Sequence, residues 1–469
     1  MRSNDRMMPL FRVRFGPVKC LSPARQEQQQ IRANMDSSPR RRPKSKLGCK
    51  ECKAKRVKCD ETFPVCLRCA RRGSTCSSTP RLTQWQIDMG WFASPVDTIV
   101  NRRLLQYWLE KVSQMLVIEP ENNPFSYPIL EFIPESPSLM HIIQSISARH
   151  EQYFSAHVAR IALEERGKAL ASFRKELEGS GTRPQLSFLT AMLLSLSHVA
   201  DHDMADFGKW HLFAARSLIN QMLQDKTLPW DMDPLNQLCF GLYLYWDMNC
   251  AFLVHPDEQQ ELDTPSLSMA VQTIGLWNHP MYGFGTELIF ILANVGRYCR
   301  QVLHSHSRSL TQEAKLVKQL SMWNAPSDKT TLMLLYESLR KHGLILLYRI
   351  CGWNAFFTNP CFKELDLESL IHRYALETIN HLLQIPISSN YLNFQSLALL
   401  TAGSELARAE SNSRDDVRHR FRALYSMNRL PTNLHARELL EDVWKARDNG
   451  DTSSWLHHML QKGWLLSLG

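Results

Sequence analysis

Six cysteines within 28 residues constrain this chain more than any other feature of its sequence. They follow the spacing C-x2-C-x6-C-x6-C-x2-C-x6-C, which repeats one C-x2-C-x6-C unit, and they are Cys49, Cys52, Cys59, Cys66, Cys69 and Cys76. Six thiols allow 15 disulfide pairings. However, the sequence has no secretion signal, and the lysines around the cysteines are expected to lower the thiol pKa values. The pattern therefore favours thiolate ligation of a metal, and zinc is the expected metal.

The number of sulfur atoms predicts how many metal ions they hold. Two tetrahedral zinc ions need eight ligand positions, and no histidine lies between Cys49 and Cys76 to supplement the six sulfurs. Two sulfurs must then be shared, which predicts a binuclear cluster with two zinc ions per chain. The other cysteines have no ligand-like spacing and are expected to be buried apolar residues; they are Cys20, Cys239, Cys250, Cys299, Cys351 and Cys361.

Basic charge is concentrated at the same end of the chain. Residues 1–80 hold 20 Lys and Arg against 6 Asp and Glu, a net charge of +14, whereas the rest holds 35 against 40, a net charge of −5. Between the second and third cysteines, four cations lie within six residues: Lys53, Lys55, Arg56 and Lys58. So dense a charge indicates a polyanionic partner.

Residues 48–76, GCKECKAKRVKCDETFPVCLRCARRGSTC, resemble the fungal Zn₂Cys₆ binuclear-cluster DNA-binding domain. The resemblance implies that Cys49 and Cys66 bridge the two metals. One zinc would then be completed by Cys52 and Cys59, and the other by Cys69 and Cys76. Pro64 occupies the place of the proline that the family carries in the loop between the two halves.

The same resemblance implies a short helix whose end enters the major groove of double-stranded DNA. Lys55 and Arg56 match the residues that contact the edges of a CGG triplet, and Arg56 could donate two hydrogen bonds to guanine O6 and N7. Lys53 and Lys58 are expected on phosphates. The second basic helix would brace the DNA backbone with Arg68, Arg71 and Arg72.

The chain divides by composition into four parts. Residues 1–46 form a polar, basic arm that we expect to be disordered, with a probable nuclear localisation signal at Arg40–Lys46. Its Arg-rich start also faintly resembles a mitochondrial presequence. The DNA-binding domain is expected at 47–78, a linker at 79–96 and a large body at 97–469. Because the linker lacks heptads, a homodimer is allowed but no coiled coil supports it.

The body has apolar residues at helical spacing and no convincing alternation typical of strands, so it is predicted to be all-α. A first helical stretch starts near Asp97, where Val100, Leu104, Trp108, Val112 and Leu116 recur at i+4. The further predicted helices are 138–154, 158–178, 185–200, 205–223, 234–253, 286–304, 330–350, 364–384, 392–408, 414–428 and 434–447. The expected fold is thus a small zinc-organised binuclear-cluster domain plus a large all-α regulatory domain.

The body also resembles the fungal-specific transcription-factor domain found downstream of such clusters. The order of several short stretches carries this resemblance: Leu104–Trp108, Trp210–Arg216, Gly283–Leu288, Ala402–Glu405 and Leu440–Trp444. The resemblance implies a regulatory domain that receives an inducer or corepressor. Its partners would be the transcription machinery or coregulators, and a small-molecule inducer is possible.

Catalytic motifs are missing from the sequence. It has no G-x-S-x-G and no Walker loop, and His150-Glu151 is not followed by a second histidine at position 154. The group Asp201, His202, Asp203 and Asp206 could bind a metal but is better interpreted as helix capping. No segment is apolar enough to cross a membrane. We therefore expect neither an enzyme nor a membrane protein.

Together these features predict a nuclear, sequence-specific DNA-binding transcription factor that regulates RNA polymerase II transcription. The alternative is a zinc-organised protein-docking module on a helical scaffold, whose basic charge serves nuclear import only. A metal-dependent enzyme built on the Asp201 group is the weakest of the three hypotheses.

Overall fold

The cysteine-rich segment forms a compact unit in the computed structural model. The structure describes residues 13–15, 48–78, 85–87, 100–151, 156–179, 181, 183–199, 204–224, 233–262, 264–324, 327, 329–352 and 366–468. We call residues 48–78 the cysteine module. It contains two short helices, α1 (Lys50–Ala54) and α2 (Leu67–Arg71).

Each of these helices starts in the same way, as the sequence repeat predicts. The cysteine before α1, Cys49, accepts a hydrogen bond through Sγ from the backbone N–H of Cys52 at 3.4 Å. Cys66 does the same before α2, with Cys69 as the donor at 3.4 Å. The sulfur atoms thus cap the helices in place of the usual Ser, Thr, Asp or Asn.

The remainder of the described chain, from residue 100 onward, is a helical domain. Its α-helices are α3 (Arg102–Tyr107), α4 (Pro137–Glu151), α5 (Ala156–Glu178), α6 (Pro184–Val199), α7 (Lys209–Gln224), α8 (Pro234–Cys250), α9 (Pro265–Ile274), α10 (Thr286–Ser305), α11 (Leu310–Met322), α12 (Thr330–Cys351), α13 (Leu367–Gln384), α14 (Ser396–Ser404), α15 (Ser411–Asn428), α16 (Thr432–Arg447) and α17 (Trp455–Gln461).

Proline and polar caps set the helix starts. Helices α4, α6, α8 and α9 begin with proline. Proline suits the first turn because its φ is fixed near the helical value and because an N–H at that position would have no acceptor within the helix. Asp233 caps α8 by accepting from the backbone N–H of Leu235, and Asp366 caps α13 by accepting from that of Ser369. These local signals agree with the predicted starts of α4, α6 and α8, whereas the start of α9 was not predicted.

Sequential helices pack in pairs around one apolar core. The pairs with the most extensive contact are α4 with α5, α12 with α13, α6 with α7, and α8 with α10. Three tryptophans are fully buried in the core, namely Trp108, Trp444 and Trp455. Each indole N–H has an acceptor: Phe125 O at 2.6 Å, Gly403 O at 2.7 Å and Thr401 Oγ1 at 2.9 Å, respectively. The three indoles are therefore buried without leaving their N–H groups unsatisfied.

The predicted fold class is confirmed, while several predicted elements were wrong in detail. Helices α9, α11 and α17 were missed, although Ser309 caps α11 and buried Leu316 and Leu320 recur in it at helical spacing. The predicted helix 392–408 is broken into a 3₁₀ turn at Asn390–Phe394, then α14, and a second 3₁₀ turn. After α3 the chain continues as a π-helical and then a 3₁₀ turn rather than as one α-helix.

Two short strands lie outside the helical domain. Strand β1 (Val13–Phe15) pairs antiparallel with β2 (Trp85–Ile87), with Arg14 opposite Gln86. These strands fall in the predicted disordered arm and linker, where no strand was expected. Three residues are too few for the alternation that reveals a strand in a sequence. In the described part of the chain, no helix has both the length and the hydropathy to span a bilayer.

Candidate metal centre and nucleic-acid interface

The cysteine module brings all six cysteines of the repeat into one buried cluster. Their sulfurs form two sets of four, and within each set the atoms lie within 4.8 Å of one another. One set is Cys49, Cys52, Cys59 and Cys66, and the other is Cys49, Cys66, Cys69 and Cys76. Both sets contain Cys49 and Cys66, so two sulfurs belong to both.

The distances between the sulfurs fit zinc. Two sulfurs bound at about 2.3 Å to one tetrahedral ion lie about 3.8 Å apart. The Sγ atoms are 3.8 Å apart for Cys49 and Cys66 and 3.7 Å apart for Cys52 and Cys66. The separations from Cys49 to Cys69 and to Cys59 are 3.7 Å and 3.8 Å. The cluster therefore has the donor type and the spacing that zinc prefers.

Burial, rather than the neighbouring lysines, has the largest effect on the pKa values of the cysteine thiols. It raises the pKa of Cys49, Cys69 and Cys76, and it raises the pKa of Cys52 to about 12. For Cys66 burial acts in the same direction, but hydrogen bonds from the Cys69 backbone and nearby thiols outweigh it and lower the pKa. At Cys49, Cys52, Cys69 and Cys76 burial thus outweighs the lowering that was expected from the basic neighbours.

Polar side chains hold the module together around the cluster. The carboxylate of Glu51 accepts from the backbone N–H of Ser77 at 2.9 Å and from its hydroxyl at 2.6 Å. Asp60 accepts from Thr62 Oγ1 and from the backbone N–H of Leu67 at 3.0 Å, and these hydrogen bonds lower its pKa to about 2 despite partial burial. The sequence analysis missed these residues, which have no motif of their own.

The basic residues predicted to face DNA lie on the surface of the module. All seven are exposed: Lys53, Lys55, Arg56, Lys58, Arg68, Arg71 and Arg72. Arg56 immediately follows the cap of α1 and has a left-handed backbone, with φ of 53°. The backbone N–H of Val57 donates to Cys52 O at 3.0 Å, and this hydrogen bond ends the helix. Arg56 thus projects from the end of α1, where a glycine is usual.

The C-terminal end of the module contacts the helical domain at the end of α15. Ser426 Oγ accepts from the backbone N–H of Cys76 at 3.2 Å. The guanidinium of Arg429, the residue after Asn428, donates to Cys76 O at 2.9 Å and to Ser78 O at 2.8 Å. We call these three hydrogen bonds the docking contact. It leaves the basic surface exposed, and the sequence analysis missed it because the partners are some 350 residues apart.

Close packing supports this contact at the turn after α2. Gly73 has φ of +58°, and a Cβ there would lie 2.8 Å from Arg422 Nη1 of α15. A larger residue at position 73 would displace only the end of the Arg422 side chain, but it would be strained by the left-handed backbone.

Comparison with known families identifies both parts of the chain. Residues 103–469 match the family described as the fungal specific transcription factor domain, and residues 47–86 match the fungal Zn(2)-Cys(6) binuclear cluster domain. The chain belongs to the fungal specific transcription factor domain family. The match at residues 47–86 supports zinc binding by the cysteine cluster, and the match at residues 103–469 supports a role in transcription regulation.

Two curated transcription factors are similar to the chain over short stretches. A Zn(2)-C6 fungal-type transcription factor, afumD of Aspergillus fumigatus, is 58% identical over 33 residues, which are 7% of this chain and 9% of that protein. Transcription factor lfc1 of Flammulina velutipes is 45% identical over 53 residues, 10% of this chain and 19% of that protein. The matches thus span under a fifth of either relative's length. No solved structure matches the chain.

The remaining candidate residues from the sequence lie only partly within the described chain. Asp201, His202, Asp203 and the predicted localisation signal at 40–46 lie outside the described residues, and Asp206 accepts from the backbone N–H of Gly208 at 2.8 Å. His150 is buried between Tyr107 Oη, 2.9 Å from Nδ1, and Met427 O, 2.8 Å from Nε2. Cys239, Cys250, Cys299 and Cys351 are buried, as predicted.

Proposed function

We propose that this chain is a nuclear transcription factor that regulates RNA polymerase II transcription by binding CGG-type triplets in the major groove of DNA. The observation that carries the proposal is the pair of four-sulfur sets that share Cys49 and Cys66. Such a cluster suits two zinc ions with Cys49 and Cys66 as bridging ligands. When bound, the ions would cross-link the two halves of a module that has little apolar core of its own.

The roles of the individual residues follow from their positions on the module. We assign Arg56 to base recognition because it projects from the end of α1 and its guanidinium matches guanine O6 and N7. Lys55 would donate into the same groove. Lys53 and Lys58, with the basic residues of α2, would contact phosphates and give most of the salt-dependent affinity.

The docking contact is compatible with this function. It engages the backbone of Cys76 and Ser78, while the basic residues of α1 and α2 remain exposed. A docked module is therefore free to bind a duplex. We propose that the helical domain regulates transcription rather than catalysing a reaction.

Gel-shift titration of the zinc-loaded full chain tests this function. We expect a CGG-containing duplex to bind at least ~10³-fold more tightly than a scrambled duplex of the same length at physiological salt. Affinity should fall steeply with salt concentration, since several phosphates are neutralised. Equal affinity for both duplexes, or no binding, would contradict sequence recognition and favour the protein-docking alternative.

A further inference from the structure

We propose that the helical domain makes DNA contacts of its own, from Arg422 of α15 and Arg437 of α16 to backbone phosphates just outside the triplet. The inference rests on the proposed function, because it extends the same DNA interface to a second part of the chain. The sequence analysis placed every DNA contact on the cysteine module, between Lys53 and Arg72.

One face of α15 lies against the module. Ser426 accepts from the backbone N–H of Cys76 as part of the docking contact. Arg422 precedes Ser426 by four residues, about one helical turn, so the two side chains leave α15 on the same side. The docking contact thus fixes the position of Arg422 relative to the module.

Arg422 extends to the end of α2. A Cβ at Gly73 would lie 2.8 Å from Arg422 Nη1 and 3.6 Å from Cζ, so the guanidinium lies against this turn. Arg71 and Arg72, which we assign to phosphates, directly precede Gly73 and are exposed. Arg422 therefore continues the basic surface of α2 onto the helical domain.

Arg422 and Arg437 have no anionic partner in the described part of the chain. Both are partly buried, and neither guanidinium makes a hydrogen bond or an ion pair with a described residue. The carboxylates that act on Arg422 belong to Asp415 and Glu441, and Arg418 binds these at 2.7 Å and 2.6 Å. A partly buried cation without an anion is costly, so an external anion would stabilise this arrangement.

The charges beside the module repel one another. Burial lowers the pKa of Arg422, and the positive charges of Arg437 and Arg418 lower it further. Residues 81–469 nevertheless have a net charge of −5, so an excess of basic residues does not account for the cluster. A partner with closely spaced negative charges relieves this repulsion.

Duplex DNA fits this partner better than an acidic protein segment does. Phosphates follow one another along each strand at a rise of about 3.4 Å. A duplex whose phosphates contact Arg71 and Arg72 therefore presents further phosphates beyond Gly73, where Arg422 lies. Guanidinium groups also bind phosphate through two parallel hydrogen bonds.

Fluorescence anisotropy of the zinc-loaded full chain with two duplexes tests the inference. Each duplex contains one CGG triplet, but one has about three helical turns and the other about one turn, roughly 10 base pairs. The double variant Arg422→Ala/Arg437→Ala should bind the long duplex about 10-fold more weakly at low salt. Its salt slope there should fall by about 2, since each phosphate contact contributes about 0.9. Affinity for the short duplex should change less than about 2-fold, which also shows that the module is intact.

Single variants keep the test decisive if the double variant does not fold. Arg422→Lys should retain most of the affinity for the long duplex, because lysine also binds phosphate as a point charge. Arg437→Glu reverses the charge and should weaken binding to the long duplex more than Arg437→Ala does. Arg300→Ala is the matched control and should bind both duplexes as the unmodified chain does. Arg300 is also partly buried, but it lies in α10, which packs against α8, α11 and α12.

The outcomes separate this inference from the proposed function. An unchanged salt slope on the long duplex, in a variant that still prefers CGG to scrambled DNA, overturns the inference alone. Equal affinity of the unmodified chain for CGG and scrambled duplexes contradicts the proposed function instead. If the double variant loses affinity for a polyglutamate peptide but not for the long duplex, the arginines bind an acidic protein segment and the inference is wrong.

Discussion

The cysteine module and the helical domain obtain their structures from different interactions. In the module, the buried apolar side chains other than the six cysteines amount to little more than Val65 within the described residues, and the sulfur cluster occupies the centre. In the helical domain, apolar faces of many helices pack around buried tryptophans. The module should therefore depend on metal for its folding, whereas the helical domain should fold without it.

The contrast predicts very different outcomes for two buried cysteines, and this is the largest expected effect. Cys66 belongs to both sulfur sets, while Cys299 is buried within α10. Cys66→Ser should cost most of the zinc-binding free energy, about 10 kcal/mol in similar sites, and should unfold the module. Cys299→Ser should cost only about 1–3 kcal/mol, the penalty for a buried hydroxyl.

Zinc analysis combined with hydrogen exchange distinguishes the two variants. The Cys66→Ser protein should lose zinc and protection over 48–78 while α12 stays protected. If one zinc remains tightly bound in that protein, Cys66 is not a bridging ligand. If the helical domain also unfolds, the two parts are not energetically separate.

Acid should destabilise the helical domain through its buried histidines, which the cysteine module does not have. Burial lowers the pKa values of His150, His279 and His342 to about 3, below the ordinary value of 6.5. Between those pH values the unfolded chain binds more protons, so stability falls as pH falls. Going from pH 6.5 to 5.5 should cost about 1 kcal/mol per histidine, or about 3 kcal/mol in all, because the unfolded imidazole is already half protonated at pH 6.5.

Chemical denaturation at a series of pH values, followed through the helical signal, measures this loss. His342 contacts Thr401 Oγ1 at 2.7 Å, and His342→Gln retains a polar partner for this hydroxyl without titrating. This variant should lose about 1 kcal/mol less than the unmodified chain over the same interval. An equal pH dependence in both proteins would mean that His342 is not neutral and buried in the folded chain.

Within the module, recognition of bases and attraction to phosphates should be separable. Arg56→Gly suits the left-handed backbone at this position, so it removes the guanidinium without added strain. We expect it to cost about 1–3 kcal/mol on a CGG duplex and to flatten discrimination. Lys58→Ala should weaken binding to all duplexes alike and reduce the salt slope by about 1. Equal losses on every sequence for Arg56→Gly would remove its proposed role.

The smallest effect is expected at the docking contact. Arg429 also has a left-handed backbone, with φ of 60°, so Arg429→Gly preserves the end of α15 while removing the hydrogen bonds to Cys76 and Ser78. Exchange of the Cys76 amide should become faster, and affinity for a single triplet should change by less than about 1 kcal/mol. His306→Gly, at the left-handed cap of α10, is the matched control and should change neither quantity.

The sequence predicted the cysteine cluster better than any other part because ligand spacing is local. The number and spacing of the six cysteines predicted a cluster with two shared sulfurs, and the family resemblance indicated which two. Helix periodicity with proline starts predicted most of the helical domain. The docking contact was not predictable, since nothing in the sequence near Arg429 indicates Cys76 as its partner. Helix α11 shows a different failure: its cap and apolar spacing were present in the sequence but were overlooked among exposed charged residues.

Metal stoichiometry of the purified full chain tests the central claim most directly. Elemental analysis together with zinc X-ray absorption should give two zinc ions per chain, each surrounded by four sulfurs at about 2.3 Å. A single ion per chain, nitrogen or oxygen ligands in the first coordination sphere, or cysteines recovered as disulfides would contradict the account.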